Sequence, residues 1–101
     1  RYIKKHLHTP ILVRELAERI GLSPSYLTRT FRRETGMKLN DYINRQKIEE
    51  AKNLLAFSDR SLSEISSYLC FSSQSYFQNL FKKYEGITPL QYRQSARSRL
   101  P

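Results

Sequence analysis

Apolar residues in this chain recur at steps of three and four with polar residues between them, so the segments read as amphipathic helices and no convincing strand alternation appears. Proline and glycine are scarce and fall where one apolar stripe ends and the next begins. The pattern predicts seven helices. The first, about Arg1 to Leu7, places Ile3 and Leu7 on one face and ends before Thr9-Pro10. The second, about Val13 to Ile20, buries Val13, Leu16, Ala17 and Ile20 and leaves through a left-handed Gly21. Ser23-Pro24 restarts a helix, with serine as N-cap and proline at the first position, and that helix runs to about Thr35 before Gly36. A longer helix, about Leu39 to Phe57, carries Tyr42, Ile43, Ile48, Ala51, Leu54 and Leu55, and at ~1.5 Å per residue it reaches roughly 28 Å. Ser61 and Glu64 form a capping box for a helix from about Leu62 to Leu69, and another is expected from Gln74 to Tyr84. Thr88-Pro89 opens the last, to about Ser98, with Arg97, Arg99 and Pro101 expected to fray.

The helical pattern is doubled. At an offset of 49, Val13, Glu15, Leu16, Ile20, Leu22 and Ser23 match Leu62, Glu64, Ile65, Leu69, Phe71 and Ser72. Past the turn the offset becomes 50, so that Tyr26, Leu27, Phe31, Gly36 and Tyr42 match Tyr76, Phe77, Phe81, Gly86 and Tyr92. The extra residue falls in Ser72-Ser73-Gln74-Ser75, a loop-like stretch where an insertion is tolerated. Two copies are too few for a solenoid, so the chain reads as one pseudo-duplicated domain.

Within each copy, a helix of about two turns, a tight turn and a second capped helix follow one another, which is the helix-turn-helix order. In the second helix of the first copy, Tyr26, Leu27, Thr30 and Phe31 fall towards the core, and Ser25, Thr28, Arg29, Arg32 and Arg33 fall outward. In the second copy Phe77, Leu80 and Phe81 are inward, while Gln74, Ser75, Gln78, Asn79, Lys82 and Lys83 are outward. These outward types suit a DNA major groove. Arginine can chelate guanine O6 and N7, and glutamine or asparagine can chelate adenine N6 and N7. Arg32, Arg33, Lys82 and Lys83, a turn further on, suit phosphates, which supply affinity without sequence choice.

Charge agrees with a polyanionic partner. Of 101 residues, 18 are Lys or Arg and 9 are Asp or Glu, giving a net charge of +9. The excess is shared, with 11 basic and 6 acidic residues in 1–50 and 7 and 3 in 51–101, so both halves are positive. The chain is long enough for one modest core. It has no stretch approaching the ~18 apolar residues of a membrane span, and its single cysteine, Cys70, fits a reducing cytoplasm. Because it starts at Arg1 rather than methionine, it is expected to be a piece of a longer protein.

Residues 13 to 93 resemble the DNA-binding domain of the AraC/XylS type of bacterial transcription regulator. The second copy carries the resemblance most strongly, through Ser75-Tyr76-Phe77, Phe81-Lys82-Lys83, Gly86-Ile87-Thr88-Pro89 and Tyr92-Arg93. The first agrees at Leu16-Ala17, Gly21-Leu22-Ser23, Tyr26-Leu27, Phe31-Arg32 and Thr35-Gly36. The resemblance implies an all-α domain of seven helices in which helix-turn-helix subdomains at 13–36 and 62–84 are joined by a long central helix at 39–57. Their recognition helices would enter successive major grooves. Carried over by position, the base readers would be Ser25, Thr28, Arg29, Gln74, Ser75, Gln78 and Asn79. The resemblance further implies a promoter-bound regulator, often an activator that contacts RNA polymerase, with effector sensing or dimerisation in a separate domain. No cofactor and no catalytic activity are implied.

Two positions depart from the family pattern. Cys70 stands where the counterpart of Gly21 would be, and a Cβ in a left-handed turn costs of order 1 kcal/mol. Ser66 replaces the expected alanine and should bond back to a helical carbonyl. A catalytic Cys70 would need a base, and His6 and His8 have no motif linking them to it; as a metal pair their i,i+2 spacing points to different sides of a helix. The aromatic residues recur at core spacing, which favours packing over base stacking. The rival reading is a basic helical adaptor for RNA or for an acidic protein surface. A membrane-surface helix is weaker, because each apolar face is already claimed by helix packing.

Overall fold

A computed structural model describes residues 17–99. The expected helix over 1–7, the first part of the expected helix over 13–20, and His6, His8 and Pro101 lie outside the described residues. Within them the chain is helical, with the end of one helix at 17–19 followed by α1 (Pro24–Thr35), α2 (Leu39–Phe57), α3 (Leu62–Tyr68), α4 (Gln74–Glu85) and α5 (Pro89–Ser98). These bounds match the expected ones to within a residue. The chain divides into two compact units, Arg1–Gln46 and Lys47–Pro101, with the boundary inside α2.

In the first unit the chain leaves its helix through Gly21 at φ 76°, where the Leu22 N–H returns to the Ala17 carbonyl at 2.8 Å. Ser23 then caps α1, its hydroxyl accepting from the Tyr26 N–H at 3.2 Å, and Pro24 occupies the first turn. Gly36, also left-handed, ends the helix. Ala17, Leu27, Leu39 and Ile43 make the core, with Leu22 and Phe31 packed against it and Phe31 edge-on to Tyr42 at 5.3 Å. Two expected core positions are corrected. Ile20 is 54% exposed and Tyr26 45%, because the helix ends at residue 19 and Tyr26 lies one step round from the inward Leu27.

The second unit repeats this plan with a larger aromatic core. Ile48, Ala51, Leu55, Ile65, Leu69, Phe77 and Phe81 are buried, and a chain of ring contacts runs from Phe71 through Phe77 and Phe81 to Tyr92 at 5.1, 6.0 and 5.7 Å. Tyr76, like Tyr26, is 45% exposed rather than buried. The Ser61–Glu64 capping box forms as expected, and Thr88 and Gln91 form a second one. Ser66 is buried and its hydroxyl donates to the Ser63 carbonyl at 3.4 Å. The C-terminal end does not fray at Arg97, which pairs with Asp59 at 3.0 Å and donates to the Ser58 carbonyl.

Cys70 adopts the left-handed turn without reshaping it, at φ 62°, and the Phe71 N–H reaches the Ser66 carbonyl at 2.9 Å as Leu22 reaches Ala17. Lys47 supports this turn from α2. Its Nζ lies 3.5 Å from the Cys70 carbonyl and 5.2 Å from the centre of the Phe71 ring. Burial pushes its ammonium below the ordinary lysine value, against an opposing pull from Cys70. Since the strain comes only from a Cβ at positive φ, Cys70→Gly is expected to stabilise the domain by about 0.5–1 kcal/mol. Urea titration checks this: the midpoint should rise at an unchanged slope.

Candidate nucleic-acid interface

Both candidate helices, α1 and α4, follow from local chemistry. In each, a serine caps the start, Ser23 or Ser73, and a left-handed glycine, Gly36 or Gly86, stops the end, which fixes which residues the turn presents outward. On α1, Ser25, Thr28, Arg29 and Arg32 recur at steps of three and four and are exposed, with Arg33 exposed beside them. On α4, Ser75, Asn79, Lys82, Lys83 and Gln74 are exposed, and Gln78 is half-buried. The structure therefore gathers the sequence-derived set of each unit onto the solvent side of one helix.

The side chains are not equivalent in what they can offer. The Thr28 hydroxyl donates to the Pro24 carbonyl at 2.9 Å, so it presents a lone pair and a methyl group rather than a hydrogen. Gln74 Nε2 lies 3.5 Å from Gln78 Oε1, a long contact that two amides a turn apart can exchange for base edges. The cations cluster at the C-terminal ends, Arg32 and Arg33 on α1 and Lys82 and Lys83 on α4, where the helix dipole favours them. Ion pairs among the described residues include Lys52 with Glu49 and Glu85, and Arg97 with Asp59. None of these involves the outward cations of α1 and α4, which leaves those charges available to an anion.

Sequence reasoning missed three residues that shape the units. Lys47 and Arg93 are buried or half-buried cations bonded to backbone carbonyls, and nothing in the local pattern distinguishes them from surface charge. Lys38 lines a hollow of about 260 Å³ with Thr28, Arg29, Arg32, Leu39 and Asn40. The signal for it was present, since a lysine is out of place at the start of a helix. The Cys70 thiol is 4.0 Å from the Tyr68 carbonyl, a weak contact of a small half-buried side chain. Among the described residues no cluster of three or more His, Cys, Asp or Glu could hold a metal, and no helix is long and apolar enough to cross a membrane.

A family model described as a helix-turn-helix domain matches residues 16–95. The regulatory protein PocR of Salmonella typhimurium is 37% identical over 94 residues, which are 93% of this chain and 31% of PocR. The C-terminal domain of AraT, a response regulator from Geobacillus stearothermophilus, superposes with a TM-score of 0.86 at 32% identity, covering 93% of this chain and 78% of that one. The DNA-binding domain of AdpA, a global transcriptional factor solved in complex with a target DNA, gives a TM-score of 0.91 at 31% identity over 99% of this chain and 90% of that one. The chain belongs to the AraC/XylS-type family of helix-turn-helix transcription regulators. It spans about a third of the length of PocR, and 12% of that of an uncharacterised Bacillus subtilis regulator, YtdP, to which it is 33% identical.

Proposed function

We propose that this domain binds double-stranded promoter DNA sequence-specifically, each unit laying its outward helix, α1 or α4, into a major groove. The observation that carries this reading is the pair of capped helices whose solvent sides hold hydrogen-bonding residues followed by unpaired cations. Ser25, Thr28 and Arg29 in one unit, and Gln74, Ser75, Gln78 and Asn79 in the other, read bases. Arg32, Arg33, Lys82 and Lys83 hold phosphates. The subdomains are 13–36 and 62–84, joined by α2, and the target of one domain is directional because the reading residues differ between units. The DNA-bound state of AdpA and the regulator names of the relatives support this assignment.

The short share of PocR that the chain covers supports a further part of the reading. The domain works within a longer cytoplasmic regulator whose effector or dimerisation domain lies elsewhere, acting as an activator that contacts RNA polymerase. Selection from a random duplex pool tests the DNA reading. Two short preferred blocks about one helical turn apart, without dyad symmetry, are expected; no enrichment, or equal preference for RNA, would overturn it. On the selected site, Arg29→Ala should lose about 1–3 kcal/mol, together with the preference at one base position. Lys82→Ala should instead weaken all sequences alike and reduce the salt slope by roughly one.

A further inference from the structure

The hollow at the junction of α1 and α2 is lined by three cations, Arg29, Arg32 and Lys38, together with the amide of Asn40, the methyl-bearing Thr28 and the buried Leu39. Among the described residues none of the three cations is joined to a carboxylate. Asp41, the acid of the first turn of α2, lies outside the described lining. Like charges brought round one depression repel, and an anion seated among them removes that repulsion. At about 260 Å³ the space is ample for a phosphodiester group.

Lys38 is the telling member. Its carbonyl accepts from the Tyr42 N–H at 3.0 Å, which makes it the N-cap of α2. A lysine has no acceptor with which to cap, and its charge faces the positive end of the helix dipole. The matching position in the second unit is Thr88, which closes a capping box with Gln91, and the match for Asn40 is the exposed, apolar Leu90. Only the first unit thus gives up a good cap for a cation, and it does so beside the hollow.

We propose that Lys38 and Asn40, together with Arg32, form a backbone-phosphate seat special to the first unit, with Arg29 at its rim. This rests on the DNA-binding reading and adds to it an asymmetric anchor: the first unit grips one phosphate that the second does not. The test is the salt dependence of binding of the 101-residue chain to a mixed-sequence DNA duplex, with thermal melting of the same variants. Lys38→Ser removes the cation and installs a good N-cap. The slope of log affinity against log salt should therefore become shallower by roughly 0.9, so that the variant loses about threefold less affinity than the parent between ~50 and ~200 mM salt. Its melting temperature should rise by about 4–8 °C. Lys38→Arg should keep the parental slope. An unchanged slope in Lys38→Ser, or a slope and a melting temperature that fall together, would overturn the seat while leaving DNA binding intact. A parent chain that binds no duplex at all would remove both.

Discussion

Phe77→Ala should lower the stability of the domain by about 3–5 kcal/mol, a large share of the roughly 5–15 kcal/mol that holds a domain of this kind together. The ring is fully buried and sits between Phe71 at 5.1 Å and Phe81 at 6.0 Å, so truncation leaves a cavity beside two rings that cannot readily collapse into it. Urea unfolding should show the lost midpoint, and hydrogen exchange should quicken first in Lys47–Pro101, the unit that owns this core. Its neighbour Tyr76 provides the contrast. That side chain is 45% exposed, and Tyr76→Ala should cost less than about 1.5 kcal/mol. Equal losses from the two substitutions would contradict this packing.

The second large effect is expected at Arg93. Its Nε donates to the Leu55 carbonyl at 2.9 Å, and one terminal nitrogen donates to the Ser58 and Arg60 carbonyls at 3.1 and 2.7 Å. One guanidinium on α5 thus satisfies the carbonyls that the C-terminal end of α2 and the loop after it leave without partners. Arg97 supplements it at the Ser58 carbonyl, so removing Arg93 orphans chiefly Leu55 and Arg60. Arg93→Ala should destabilise the domain by about 3 kcal/mol. Arg93→Lys should recover less than half of that, since an ammonium cannot reproduce the planar fork. Thermal melting separates the two, and full recovery by lysine would mean that charge rather than geometry is what Arg93 supplies.

The two residues set the limits of what the sequence made legible. Phe77 was identifiable as core because burial on a helix is written into a three-and-four step pattern, and the same pattern located α1 to α5 to within a residue. The turns were legible too, since Gly21, Gly36 and Gly86 mark left-handed residues, and so was the misfit of Cys70 at φ 62°. The outward residues of α1 and α4 followed by subtraction. Where the pattern failed, it failed at the edges of stripes. Ile20 lies beyond the last helical turn, and Tyr26 and Tyr76 flank the inward Leu27 and Phe77, so a periodicity that is right about the face is wrong about its width.

By itself the sequence determined the helices, their caps, the doubled helix-turn-helix order and the polar sets carried on α1 and α4, because each depends on residues within a turn or two of one another. Only the tertiary structure decided what the cations do. Arg93 reaches carbonyls up to 38 residues away, Lys47 supports a turn 23 residues on, and Lys38 lines one hollow with Arg32 from the far side of the bend between two helices. A lysine or arginine in a sequence is only a charge on a long stem. Whether it caps a helix, props a turn or waits for a phosphate depends on which carbonyls and which other charges folding places within its reach.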